Sequence, residues 1–383
     1  MYNIIVSPEW FPNKENLLSA IFTKKHIEVI AKTNNVVVAF AVGTVGEDKN
    51  YNLVIEKNVF TSVICYFRLS KLPLIGKYIN FINYFLADYK AIKQAELLIE
   101  KVDFFHIHVL PKSAVIPYLY YLFKNVPYFI SEHSTAYLRK SNNYVESWLK
   151  IKFANNSKGL SAVSESLKFA MENKGLKHQN FKIIPNVINP NIFSLKPLNK
   201  DTKIKFLHVS RLDEQAKNVI GILRVFELLY HKYQQIELHI VGGFLDMVSD
   251  AELFSKALKC TEAVFFHGIK YGEDIVPYYH NADYFVMFSN YETQAVVVVE
   301  ALMCGLPVIA TQLPALDEYL HQYNSIQVAT KDESDLYLKM ENCINKTCDF
   351  WPAENISSDI KLKFDLNSLE EGFKTLYKLG MNS

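Results

Sequence analysis

Long hydrophobic runs are missing from this chain. No stretch approaches the roughly 18 uninterrupted apolar residues that cross a bilayer, so a membrane-spanning helix is not expected. The opening, MYNIIVSPEW, lacks the basic start and long apolar core of a secretory signal and reads as a first strand. An excess of one charge is also missing: 41 Lys and Arg face 40 Asp and Glu, and nothing global calls for nucleic acid. Cysteine is scarce. Cys65, Cys260, Cys304, Cys343 and Cys348 are scattered and odd in number; Cys343 and Cys348 lie close, but no second pair or ordered histidine set completes a zinc pattern. Reduced, structural thiols in a cytoplasmic protein are the expectation. There is no D-x-D motif, no tandem repeat and no low-complexity tract.

What is present suits two globular domains. With 383 residues, half of them apolar and 21% charged, the chain is too long for one ordinary core. One theme repeats: a short β-branched run, a polar turn, then a longer amphipathic stretch. The runs fall at 3–7, 36–41, 62–67, 104–109, 128–133, 160–164 and 182–187, then at 205–210, 237–242, 263–268, 283–289, 307–311 and 325–330. Most are nearly continuous in apolar residues, which suits parallel strands covered on both faces. The expectation is an α/β protein of two doubly wound, Rossmann-like domains. The break is placed in NPNIFSLKPLNKD (189–201), rich in Pro and Asn and without a clear period, giving domains of 1–195 and 196–365. The segment 67–94 mixes Arg68, Lys71, Lys77, Lys90 and Lys93 with many aromatics, Asp88 being its only acid. It reads either as an inter-strand helix with a solvated lysine face, or as a surface for an anionic membrane or lipid-linked substrate.

In open parallel sheets, ligands sit beyond the carboxyl ends of the strands. The second half places Arg211, Gly242, Gly243, Ile269, Lys270 and Glu292 there; the first places Pro8, Trp10, Phe11, His108, His133 and Ser164. If those edges face each other they form a cleft. Arg211 and Lys217 stand six residues apart at the entry to a helix starting near Asn218, which suits a diphosphate; taken alone, such a pair is usually solvated surface. Gly242 and Gly243 serve either close approach of backbone to a ligand or a plain strand-to-helix turn.

In NYETQAVVVVEALMCGLPVIAT (290–311), Glu292 and Glu300 bracket seven residues, four of them consecutive valines. A helix beginning near Ala295 and ending at Gly305, ahead of a strand after Pro307, would aim free N–H groups at phosphate oxygens. Glu300 would lie inside that helix, able to accept from the paired hydroxyls of a ribose, or else simply solvated. Glu292 could accept from hydroxyls of a sugar.

The segments VSRLDEQAKN, IVGG, FFHGIKYGEDIVPYYHNADYFVMFS and the E-x7-E pattern running into EALMCGLPVIAT resemble the family 4 glycosyltransferases of the GT-B fold. Fainter echoes (FFHIHV, SEHS, AVSESL, IPNVINPNIF) extend the resemblance over roughly residues 1–330, densest in the second half. It implies two Rossmann-like domains about a central cleft, with a C-terminal helix (366–383) returning to the first. It implies retaining, metal-independent transfer of a sugar from a nucleoside-diphosphate donor, with no cofactor beyond that substrate. The acceptor would be a hydroxyl of a glycan or lipid-linked glycan, in cell-surface polysaccharide synthesis. The place would be the cytoplasm or the inner face of the membrane.

By the same resemblance, Arg211 and Lys217 hold the diphosphate, Glu300 the ribose and Glu292 the donor sugar. The backbone at Thr293, Gln294, Ala295 and Val296 surrounds sugar and phosphate, and His133 stands beside the reacting sugar. His108 and Asn186 are weaker acceptor-side candidates, open to a packing or turn role. Two departures stand out: Ala20 where the family often has glycine before the Phe of its first loop, and Gln294–Ala295 where it often has Phe-Gly. They leave a non-catalytic scaffold, an epimerase or a phosphorylase on the same fold as rivals.

Overall fold

The computed structural model describes all residues except 17, 18, 141, 142, 187, 196, 198–201, 244–247, 365 and 383. The chain divides into two units, Met1–Val187 with Asn367–Ser383, and Ile188–Leu366. The division falls just ahead of the 189–201 stretch, part of which lies outside the described residues.

The first unit is built on eight strands: β1 (Asn3–Pro8), β2 (Asn35–Thr44), β3 (Tyr51–Lys57), β4 (Thr61–Arg68), β5 (Phe104–His108), β6 (Tyr128–Glu132), β7 (Gly159–Ala162) and β8 (Phe181–Ile183). Their order is β3-β4-β2-β1-β5-β6-β7-β8. Seven run parallel. Ile4, Ile5 and Val6, Val37 to Ala41, and Phe104 to Ile107 have no useful exposure, as sheet interiors covered on both faces require. The eighth, β3, pairs antiparallel with β4 and is missing from the sequence expectation. It is an edge strand whose Leu53 and Ile55 are exposed, so it carries no buried run to betray it.

The second unit holds six parallel strands: β9 (Ile204–Ser210), β10 (Ile236–Gly242), β11 (Val264–Phe266), β12 (Tyr284–Met287), β13 (Val308–Thr311) and β14 (Ser325–Val328), in the order β11-β10-β9-β12-β13-β14. The order turns back on itself between β9 and β12, the kind of switch point where α/β sheets place ligands.

The last helix, Leu366–Met381, belongs with the first unit. It buries Leu369, Phe373, Leu376 and Tyr377 there, and the Tyr377 hydroxyl meets His106 Nδ1 at 2.6 Å. Gly380 sits so close to the Lys158 carbonyl that an added Cβ would approach it to 2.4 Å.

Candidate active site

In the second unit, β9 ends at Ser210, whose Oγ accepts from the Leu212 amide at 3.0 Å. Arg211 follows, exposed beyond the strand. A four-residue helical turn, Glu214–Lys217, precedes the helix Val219–Lys232. The first N–H groups of that second helix already have a partner. Glu214 accepts from the amides of Val219 at 2.8 Å and Ile220 at 3.1 Å, so its own carboxylate occupies the place proposed for a diphosphate. The cations of this region remain; the helix start does not.

Lys217 finds Glu292. Its Nζ lies 2.5 Å from Oε1, with the lysine side chain 19% exposed and the glutamate 8%. The loop carrying Glu292 is tied to the Lys217 turn by backbone: Asn290 donates its amide to Ala216 O at 2.7 Å and its side-chain Nδ2 to Gln215 O at 2.9 Å. Two motifs far apart in sequence are thus held as one edge.

The valine-rich helix runs Val296–Met303. Val298, Val299, Ala301, Leu302 and Met303 are fully buried, each large side chain worth about 1.5–3 kcal/mol of burial, while Val296 and Val297 are half-buried. No side chain caps its start. Ala295, immediately before it, adopts φ 54 and ψ 66, a left-handed conformation that favours glycine. Ala20 does the same before the helix Ile21–Ala31, with φ 47 and ψ 50. Both alanines that depart from the family pattern therefore occupy glycine-type backbone. Thr293 is half-buried; Gln294 is buried, and its carbonyl accepts from the Tyr319 hydroxyl. Glu300 is 9% exposed, so the solvated-helix alternative fails; the Tyr279 hydroxyl donates to its Oε2 at 2.9 Å. Burial, then the Glu300 carboxylate, holds the Tyr279 hydroxyl protonated well above the usual range.

Gly242 and Gly243 have φ 123 and 118. An added Cβ on Gly242 would come within 1.7 Å of Ser210 O, so that position is fixed by the neighbouring strand. At Gly243 a Cβ would meet only Leu212 Cδ1, at an ordinary 3.7 Å, so the backbone conformation alone demands glycine. Ile269 and Lys270 follow β11, half-buried, just after Gly268 at φ 64. Gly305 closes the valine helix at φ 76, with Leu306 N bonding Ala301 O at 3.0 Å, and β13 begins after Pro307.

In the first unit, Pro8 ends β1, Trp10 is exposed and Phe11 is buried. Ser164 is a helix cap, accepting from the Leu167 amide at 3.0 Å. His108 and His133 meet directly, Nδ1 to Nε2 at 3.2 Å, and His133 Nδ1 meets Asn186 Oδ1 at 3.0 Å. Val109, next to His108, sits at φ 70, a costly conformation for a β-branched residue. Burial, with the neighbouring His26, holds His133 neutral, its pKa well below the usual 6.5. Glu132, fully buried, accepts from Leu110 N at 2.9 Å and Tyr137 hydroxyl at 2.7 Å, and burial pushes it up to about 7. Sequence reasoning missed His26, His106, Glu214 and Tyr279. The first two sit among strand and helix core residues, and nothing in their spacing separates them from packing.

The comparisons with known proteins agree in kind. Residues 203–346 match the family described as glycosyl transferases group 1, and residues 37–192 match glycosyltransferase family 4, so the two stretches span most of the chain. The chain belongs to the family 4 glycosyltransferases. An uncharacterized glycosyltransferase of Methanocaldococcus jannaschii is 24% identical over 328 residues, covering 78% of this chain and 80% of its own. Among solved structures, sucrose-phosphate synthase of Thermosynechococcus elongatus superposes with a TM-score of 0.77 at 17% identity, covering 98% of both chains. HepE of Anabaena, in complex with UDP and glucose, gives 0.74 at 16% identity over 99% of this chain and 100% of its own. These likenesses establish the GT-B fold for this glycosyltransferase.

Proposed function

We propose that this glycosyltransferase moves a hexose-type sugar from a nucleoside-diphosphate donor to a hydroxyl of a glycan or lipid-linked glycan, with retention of anomeric configuration. The observation that carries it is the joined edge in the second unit. Arg211 and Lys217 offer two cations, Glu292 lies against Lys217, and Glu300 is held by Tyr279 just inside the uncapped helix at Val296. A donor diphosphate there would draw on Arg211, Lys217 and the first amides of that helix, and its ribose on Glu300. Neutralising the leaving diphosphate as its charge grows is the main catalytic contribution, and phosphate oxygen takes the incoming hydroxyl's proton. The binding of UDP and glucose by HepE, at the same fold, supports a donor of this class. In the first unit, His133 is the group for the reacting sugar, with His108 and Asn186 setting its orientation.

The membrane reading of 67–94 gains support from exposure. Tyr78, Phe81, Ile82, Leu86 and Tyr89 of the helix Gly76–Glu96 are 46–62% exposed, beside exposed Lys71 and Lys77. An apolar stripe rimmed by lysines fits an anionic lipid surface, and so a lipid-linked acceptor. Among the described residues no helix is long and apolar enough to cross a membrane.

The test is release of free nucleoside diphosphate from a panel of nucleotide sugars, with and without glycan acceptors, in excess EDTA. Release that depends on acceptor and survives chelation is expected, since Arg211 and Lys217 supply the positive charge. Release without any acceptor, or none from any donor, would refute the reading.

A further inference from the structure

The first unit holds a group of side chains that this reading uses only in part. His26, His108 and His133 are each buried, and one ring nitrogen of each lies within 4.8 Å of the other two. We propose that these three imidazoles form a binding site for a divalent transition metal of the Zn²⁺ class.

Hydrogen bonding fixes much of the protonation pattern. His26 Nε2 lies 2.9 Å from the Pro185 carbonyl, which can only accept, so Nε2 carries the proton and Nδ1 is a bare lone pair. That Nδ1 has no partner. His133 places Nδ1 against Asn186 Oδ1 at 3.0 Å, so it donates there and keeps its lone pair on Nε2. Those are the arrangements a metal-bound histidine adopts: the far N–H goes to a backbone carbonyl or a side-chain oxygen, and the near nitrogen is left for the ion. Two of the three histidines already carry that outer support.

His108 completes the set. Its Nδ1 stands 3.2 Å from His133 Nε2. Ligands on a tetrahedral zinc with bonds near 2.0–2.1 Å are about 3.3 Å apart, so this pair already has the spacing of two ligands on one ion. Without metal, His108 donates Nδ1–H to His133. With metal, its proton moves to Nε2, a buried nitrogen that has no partner now. The ring stays neutral and no proton leaves His108. The third contact requires the His26 nitrogen, now within 4.8 Å of the other two, to approach to about 3.3 Å.

The surroundings favour occupancy by a neutral-ligand ion. Phe22 packs on His133 and Phe373 on His26, with ring centroids 4.8 and 5.2 Å apart, giving a dry wall. A three-histidine set leaves a fourth position for water or a substrate oxygen.

Occupancy has a consequence that rests on the function proposed above. The ion takes the Nε2 lone pair of His133, the group assigned to the reacting sugar, so Zn²⁺ acts as an inhibitor of transfer and chelation relieves it. The experiment separates the two claims. Metal-stripped full-length chain is titrated with Zn²⁺ against a chromophoric chelator, and with Co²⁺ while recording visible spectra. One tight equivalent and the intense bands of four-coordinate Co²⁺ are expected. His26→Gln and His108→Gln should each weaken Zn²⁺ by about 100-fold or more, and Asn186→Ala, which keeps all three ligands, by about 10- to 100-fold. His239→Gln, which breaks the half-buried pair of His239 with His267 in the second unit, should leave Zn²⁺ binding at the three histidines unchanged. Circular dichroism of the metal-free forms shows which variants are folded, and any that are not are replaced by the Co²⁺ spectrum of the wild type. Absence of a tight equivalent, octahedral Co²⁺ bands, or unaltered binding in the folded ligand variants overturns the site. Zn²⁺ bound there without inhibiting acceptor-dependent release overturns the inhibitory role alone. A chain that binds Zn²⁺ so but transfers from no donor sustains the site and refutes the glycosyltransfer reading.

Discussion

Lys217 Nζ lies 2.5 Å from Glu292 Oε1, 75 positions away in the chain. Both side chains are largely withdrawn from water, so each neutralises a charge that would otherwise be costly. A donor diphosphate arriving here would compete with Glu292 for the lysine, freeing the carboxylate for the sugar.

Arg211 and Lys217 should then fail in different ways. Either alanine variant should cut turnover by roughly 100-fold or more. Arg211→Ala, at an exposed position, should leave thermal stability unchanged. Lys217→Ala strands the Glu292 charge and should also lower stability, by about 1–3 kcal/mol. Denaturant curves alongside transfer rates check this; equal stability losses would contradict it.

Glu300 and Tyr279 should act together on the nucleoside. Glu300→Ala loses charge-assisted hydrogen bonds worth roughly 1.5–3 kcal/mol, so affinity for bare nucleoside diphosphate should fall about 10- to 100-fold. Tyr279→Phe removes one supporting bond and should cost about fivefold. Glu292→Ala should bind the bare diphosphate almost normally and lose turnover with the full donor. Calorimetry followed by transfer rates distinguishes the three.

The left-handed alanines give a stability prediction of opposite sign. Ala295→Gly and Ala20→Gly should each raise unfolding free energy by roughly 0.5–1 kcal/mol, the strain outweighing glycine's extra chain entropy. Ala295→Val should lower it by more than about 1 kcal/mol. Urea midpoints measure both.

Acid should destabilise the chain early. Burial holds His26 and His208 at about 4 and His106 at about 3, and keeps His108 and His133 well below 6.5. Their folded values are depressed, so the stability they carry is complete above pH 6.5 and is lost as pH falls from 6.5 through 4. His26 and His208 each contribute about 1.4 kcal/mol per pH unit within that window. Glu132 opposes them: raised to about 7, it favours the fold in acid and loses that contribution as pH rises through 7. Asp88, also raised well above its usual value by burial and then by Glu9, opposes them in the same sense. Two carboxyls do not offset five imidazoles. Denaturant midpoints should drop steeply between pH 6.5 and 5; a flat profile would contradict the balance.

The basic aromatic helix should bind anionic vesicles at low salt. Arg68 is not the residue to change, since its guanidinium donates to the carbonyls of Glu47 and Asp48. Lys71→Glu with Lys77→Glu, or Phe81→Ser with Ile82→Ser, should abolish vesicle co-sedimentation while sparing transfer to a soluble acceptor. Wild-type indifference to such vesicles would leave the helix as solvated surface.

Much of the fold was legible because parallel strands leave continuous apolar runs, as in IKFLHVS and FFHIH. The edge strand Tyr51–Lys57 left none, because one face of it meets water. Within the candidate site, the spacing of Glu292, Glu300, Arg211 and Lys217 put them at strand ends and a helix start, but only the family resemblance gave them roles. Glu214 could not: a glutamate five residues before Val219 becomes a cap only because Asn218 turns left-handed at φ 48. Tyr279 and His26 were hidden for another reason. Each lies on a helix face that packs inward, where an aromatic ring normally signals nothing but core.

The placement of the last helix bears on how the protein is made. The second unit is one unbroken stretch, Ile188–Leu366, so all of it is translated before the last helix. The first unit, though translated earlier, lacks the partners of His106 and Phe129 until Phe373 and Tyr377 emerge. Birth order and completion order are therefore reversed. During synthesis Phe104, Phe129 and His106 lack the cover of Phe373 and Tyr377 until the last helix emerges.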